Sequence, residues 1–198
     1  DITGWNVSNV TDMSYMFSNT DVFNQPIGAW DVSSVTNMEG MFNGTKVFNQ
    51  DISVAVWNVS NVINMSHMFN GARVFNQDIT GWDVSSVTDM SYMFKDTLYF
   101  NRGIDNWNVS SVTNMNQMFK GASSFRGDIS TWDVSNVTAM SQMFYGATVF
   151  NSDISGWIVT NITNMENMFN GAANFNADIS TWDISNVTNM YQMFNGAA

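Results

Sequence analysis

Ile104-Asp105-Asn106-Trp107-Asn108-Val109-Ser110-Ser111-Val112-Thr113-Asn114-Met115-Asn116-Gln117-Met118-Phe119-Lys120-Gly121-Ala122-Ser123-Ser124-Phe125 carries the whole architectural instruction of this 198-residue chain. Its apolar positions are Ile104, Trp107, Val109, Val112, Met115, Met118, Phe119, Ala122 and Phe125. Trp107 and Val109 flank one outward residue, the alternation of a strand. From Val112 the spacing lengthens through Met115 to Met118 and Phe119, which predicts one face of a short helix. Thr113 stands where an N-cap would, and Gly121 where a helix leaves through a left-handed residue. The stretch reads as a short strand, a two-turn helical or 3₁₀ segment, and a return loop.

Outward from this stretch the same wording recurs over the whole chain. Trp falls at 5, 30, 57, 82, 107, 132, 157 and 182, a step of 25 broken once by a step of 27. The two extra residues lie within Ser53-Val54-Ala55-Val56. All 16 Met fall in Met-x-x-Met-Phe blocks, from Met13–Phe17 to Met190–Phe194. Thr precedes the block in every unit except at Ile63, and the two Glu (Glu39, Glu166) sit three residues after their Thr, as capping boxes require. The units are 1–25, 26–50, 51–77, 78–102, 103–127, 128–152, 153–177 and 178–198, one domain of eight coils. No divergent cap or signal peptide is recognisable, so the wording predicts an excerpt of a longer array.

Composition excludes several functions. The net charge of −11, with six Lys+Arg against 17 Asp+Glu, argues against nucleic acid. No apolar run reaches the ~20 residues of a membrane span, so this segment is not expected to insert. Without Cys there is neither disulfide nor thiolate site, and the single His67 provides no catalytic triad. The carboxylates recur as ladders rather than as one unique pair, so an enzyme is not expected, nor a cofactor. The Met-Phe stripe reads as core filling, with Met and Phe taking the place of Leu, which occurs once, at Leu98.

The expected fold is an α/β repeat, a leucine-rich-repeat-like right-handed solenoid of eight 25-residue coils, with a parallel β-helix as the alternative. At strand spacing it would rise ~4.8 Å per coil, a rod about 40 Å long.

Asp128-Ile129-Ser130-Thr131-Trp132-Asp133-Val134-Ser135-Asn136-Val137-Thr138-Ala139-Met140-Ser141-Gln142-Met143-Phe144-Tyr145-Gly146-Ala147 resembles the BspA-like leucine-rich-repeat surface proteins. More narrowly, it resembles the 25–26-residue repeat of mycoplasma-type surface lipoproteins, and the resemblance spans the chain. It implies a cell-surface or secreted repeat with members involved in adhesion and host-protein binding, and it carries over no catalytic residue. Pro26, Gly103, Ile63, Ile158 and the insertion depart from the pattern.

In a stacked array each outward position becomes a column. One runs Asn6, Asp31, Asn58, Asp83, Asn108, Asp133, Ile158, Asp183, with acid and amide alternating over six units. Its Asp31, Asp83, Asp133 and Asp183 are charge management or an acidic stripe that receives a partner. Asp128, Asp153 and Asp178 head consecutive units; either each accepts the N–H groups of its own turn or calcium sits between them. Asn24, Asn49, Asn76, Asn101, Asn151 and Asn176 predict an internal amide ladder that Arg126 interrupts. The cations Lys46, Arg73, Lys95, Arg102, Lys120 and Arg126 all lie between Met-Phe and the next unit, a basic return-loop edge. With the 54–56 bulge this edge is the expected contact surface for a protein or cell-surface ligand. A carbohydrate face is not expected, because Tyr15 and Tyr92 read as isolated. The competing function is a structural rod, spacer or filament subunit associating end to end.

Overall fold

The computed structural model describes residues 1–53 and 57–198, so the expected bulge at Val54-Ala55-Val56 lies outside the described residues. The 25-residue units do stack, each lying parallel on the next. The α/β expectation fails: among the described residues there is no helix, and strand pairing is reduced to isolated parallel bridges such as Asp89↔Asn114 and Asn114↔Ala139. Neither strand–helix coils nor the continuous sheets of a parallel β-helix are formed. Each coil is instead a succession of tight turns.

The reason lies in where the backbone N–H groups go. Along Met115–Ala122 they alternate. Met115, Gln117, Phe119 and Gly121 donate to Ala139, Ser141, Met143 and Tyr145 of the next coil, at 2.7–3.0 Å. Met118, Lys120 and Ala122 donate three residues back, to Met115, Gln117 and Phe119. Gln117 has φ +56° and Gly121 φ +69°, and neither value belongs to a right-handed helix. Every second donor that a helix would use internally is therefore committed to a neighbour. The apolar spacing of a helix arises from two consecutive turns instead.

The strand reading fails through Asp, Asn and Ser. In coil four the Asp78 carboxylate accepts the Thr80 N–H at 3.0 Å, Asp83 that of Ser85 at 3.1 Å, and Asp89 that of Ser91 at 2.8 Å. Each is a side chain closing a turn two residues on, which competes with a straight strand. A backbone turn follows at once, with Val87 N–H donating to Val84 at 2.9 Å. Only the residue at Asp89 remains long enough in line to bridge.

Thr is also not an N-cap. Thr113 donates through both N–H and Oγ1 to the Thr88 carbonyl of the preceding coil, at 2.9 and 3.3 Å. Thr36, Thr88, Thr138 and Thr188 repeat the pair. Glu39 and Glu166 form no capping box: Glu39 accepts from Tyr15 and Asn64, and Glu166 from Asn167 and Asn189.

Inside, the coils bury one continuous core. Phe17, Phe42, Phe69, Phe94, Phe119, Phe144, Phe169 and Phe194 stack at 5.5–5.8 Å. The second column, Phe23 to Phe175, lies beside it, with in-coil centroids 3.8–4.1 Å apart. Trp is required for its polar end as well as its ring. Trp107 Nε1 donates to the Ile79 carbonyl at 3.1 Å, and Trp132 to Ile104 at 3.0 Å, one coil back.

The amide ladder forms as its sequence column predicts. Asn24 Oδ1 accepts the Asn49 N–H at 3.0 Å, Asn49 that of Asn76 at 2.9 Å, Asn76 that of Asn101 at 3.0 Å, and Asn101 that of Arg126 at 3.1 Å. Among the described residues the next rung, onto Asn151, is missing because Arg126 has no amide oxygen; it resumes from Asn151 to Asn176 at 2.8 Å. Arg126→Asn is expected to restore it and add about 1 kcal/mol of stability. A urea midpoint no higher than the parent's would refute this.

Candidate functional site

Two positions in every coil take left-handed backbone, and they are filled by opposite rules. One carries Gly44, Gly71, Gly121, Gly146, Gly171 and Gly196, with Asn19 and Asp96 as the exceptions. That is the choice conformational strain dictates. The other is the residue two after the first Met of each block. It carries Tyr15, His67, Tyr92, Gln117, Gln142, Asn167 and Gln192 at φ +50° to +59°, and glycine only at Gly40. A bulky residue there costs about 1 kcal/mol relative to glycine. Seven coils keep a large polar or aromatic side chain where the backbone favours none.

These positions form one column, in which His67, Tyr92 and Gln117 meet one another. Tyr15 Oη donates to Glu39 Oε1 at 2.5 Å, and its ring lies across the space a Cβ on Gly40 would need. The hydrogen bond to Glu39 raises the Tyr15 phenol above its ordinary value. His67 stacks on Tyr92 with centroids 4.2 Å apart and ring planes at 9°, and its Nδ1 lies 3.3 Å from Asn70 Nδ2. Burial pushes the His67 imidazole below its ordinary value; Glu39 opposes this and Lys95 reinforces it. Gln117 Nε2 donates to Tyr92 Oη at 3.4 Å. Tyr92 is thus joined to His67 and Gln117, whereas Tyr15 stands in the same column beyond Gly40.

The cations occupy neighbouring columns. Lys95 Nζ stands 5.7 Å from the Tyr92 ring centre. Lys120 Nζ stands 4.7 Å from that of Tyr145 and donates to Gln142 Oε1 at 2.6 Å. Burial, then the neighbouring charge of Lys95, lowers the Lys120 ammonium below its ordinary value, with Asp96 opposing. Lys46 and Arg73 share a separate groove of 450 Å³ with Gly44, Gly71, Asp96 and Leu98, and Lys46 bonds Asp21 at 2.8 Å. Arg102 Nε donates to the Asn76 carbonyl at 2.7 Å. Arg126 lines a 440 Å³ groove beside Asp128 and Asp153. The basic edge is two same-column pairs, Lys46 with Arg73 and Lys95 with Lys120, and the separately placed Arg102 and Arg126, rather than one patch.

Asp31, Asp83, Asp133 and Asp183 are not brought together; each accepts the N–H of its own Ser33, Ser85, Ser135 or Ser185 at 3.0–3.1 Å. Asp128, Asp153 and Asp178 likewise take the N–H of Ser130, Ser155 and Ser180, each at 2.9 Å. These turns account for the recurrence of the carboxylates, and among the described residues no three acidic or imidazole groups cluster with metal-holding geometry. Nor is any helix among the described residues long and apolar enough to cross a membrane.

Sequence reasoning missed the left-handed column. Its one visible signal is Gly40, standing where other units carry Tyr, His, Gln or Asn.

Set against known proteins, residues 1–104 and again 90–198 match one family model, described as mycoplasma protein of unknown function, DUF285. The match supports the mycoplasma-type repeat resemblance and leaves the BspA-like leucine-rich-repeat part unsupported. No curated protein and no solved structure matches the chain.

Proposed function

We propose, from the premise that the chain belongs to the DUF285 family of mycoplasma proteins, that it is a non-enzymatic cell-surface or secreted module whose lateral faces bind a protein or other surface ligand. The observation that carries this reading is the placing of charge. A chain of net −11 keeps all six of its Lys and Arg on the return-loop side of coils two to five. Lys46 with Arg73 and Lys95 with Lys120 there stand one coil apart within their columns. Stacked coils extend such pairs into long surfaces, which suits contacts with large partners.

Its test is adhesion of the purified chain to epithelial cells and matrix-protein surfaces. Lys46→Glu, Arg73→Glu, Lys95→Glu and Lys120→Glu together are expected to lower retention at least tenfold, with the thermal transition kept. Undiminished retention would sink the reading. A rod or spacer role is favoured by a different observation, the near-identical aromatic stacking from coil to coil. It predicts retention no greater than that of an unrelated protein.

A further inference from the structure

We infer that the left-handed face of coils four to six, from Tyr92 to Tyr145, binds an acidic oligosaccharide. The inference deepens the ligand-binding reading above and rests on it.

The first support is the contrast between the two left-handed columns. Where nothing but the backbone decides, coils use glycine, as at Gly121 and Gly146. Four residues earlier in the same coils, at the same sign of φ, stand Gln117 and Gln142. Glycine fits that position too, since coil two carries Gly40 there. Gln117 and Gln142 therefore hold a left-handed backbone that glycine would adopt without strain, and strained residues of this kind gather at working surfaces.

The second support is the chemistry assembled around them. Beyond the bonds to Tyr92 Oη and from Lys120 Nζ, Gln117 keeps its Oε1 acceptor and Gln142 its Nε2 donor, groups that complement a sugar's hydroxyls. Tyr145 is partly exposed with Lys120 Nζ 4.7 Å from its ring centre, so an aromatic surface and an ammonium stand side by side, as a charged pyranose requires. Lys95 and Lys120 add two ammonium groups one coil apart on a molecule that is otherwise strongly negative. The coil rise of ~4.8 Å is close to the length of one sugar ring, so successive coils face successive sugars.

A peptide fits this face less well. The backbone N–H groups of Gln117, Phe119 and Gly121 are already committed to the next coil, so an added strand finds no edge there.

The test is calorimetric titration of the chain with four probes: a heparin-derived hexasaccharide, a sialic-acid hexamer, maltohexaose and a hexaglutamate peptide. Either or both acidic sugars are expected to bind, at least tenfold more tightly than maltohexaose or hexaglutamate; which one does so separates sulfate from carboxylate recognition. Lys95→Gln with Lys120→Gln should weaken binding at least tenfold. The deciding variant is Gln117→Gly with Gln142→Gly, which relaxes the backbone. It is expected to melt at the same or a higher temperature while losing affinity at least fivefold. A purely structural role would show the reverse, lower melting with affinity unchanged. Hexaglutamate binding as well as the sugars, no sugar binding, or binding indifferent to both double variants would overturn the inference. Cell retention without sugar binding would refute this inference alone, whereas sugar binding without cell retention would refute the broader reading.

Discussion

Phe119→Ala is expected to cost about 3–5 kcal/mol of stability and to split the single unfolding transition into two. The Phe119 ring is fully buried, and its neighbours lie on three sides. Phe94 stacks at 5.5 Å, Phe144 at 5.8 Å and Phe125 at 4.0 Å. The surroundings cannot collapse into the cavity, because the coil is pinned by N–H donations at Met115, Gln117, Phe119 and Gly121. Truncation there loses both the transfer energy of the ring and the dispersion contacts of the neighbours that faced it. Coupling in a stack runs only between adjacent coils, so a weak fifth coil uncouples coils one to four from six to eight. Urea unfolding followed by Trp fluorescence should show two steps, and limited proteolysis should nick the chain within 103–127. Phe194→Ala is the control: its ring is half exposed and stacks on Phe169 at 5.7 Å. It should cost much less. Equal costs for the two variants would contradict this account of the core.

The second large effect is loss of stability in acid. Asp12, Asp31, Asp78, Asp83, Asp128, Asp133, Asp153, Asp178 and Asp183 all have their carboxyls held below the ordinary value. For Asp31, Asp83 and Asp133 the hydroxyl of the serine two residues on is the larger cause, followed by that serine's N–H. For Asp128, Asp153, Asp178 and Asp183 the N–H comes first. The unfolded chain lacks these turns and so binds more protons near its own carboxyl pKa. A lowered folded pKa therefore stabilises the fold above the unfolded value, and the contribution disappears as pH falls through the folded value. Relief of repulsion in a −11 chain acts in the opposite sense, but these charges are exposed and screened over about 8 Å in physiological salt. The melting temperature should be flat above about pH 5 and fall as the pH drops below about 4, the ordinary aspartate value. Changing Asp83, Asp133 and Asp183 to Asn keeps the turn acceptor and should flatten that fall. An unchanged acid limb in the triple variant would show that the turns are not its cause.

How much of this was readable in advance depends on what each residue's partner is. The period, the core list and the amide ladder follow from one-dimensional spacing, because a repeat puts residue i beside residue i+25. The local backbone did not follow. Val112, Met115, Met118 and Phe119 have the spacing of a helix face, yet an internal helix bond and a bond to the next coil compete for the same N–H. The sequence of one coil cannot weigh a donor that its neighbour will take. Thr113 shows the same limit: an N-cap and a rung to Thr88 use the same hydroxyl. On the surface, the cation columns were legible as sequence positions. The left-handed face was not, because the sign of φ at Gln117 leaves no mark on a residue type that usually avoids it.

The recurring contacts that join coils run to the coil immediately before or after, with equivalent atoms from coil to coil. Trp Nε1 reaches the Ile carbonyl one coil back, and Thr reaches the residue at its own position in that coil. This has a hereditary consequence. Unequal recombination between two repeats would delete or duplicate a whole coil in frame, and both new neighbours would meet through a junction already used elsewhere. Length is thus free to drift between generations while the fold stays constant, and selection on reach or valency could act without first solving a folding problem.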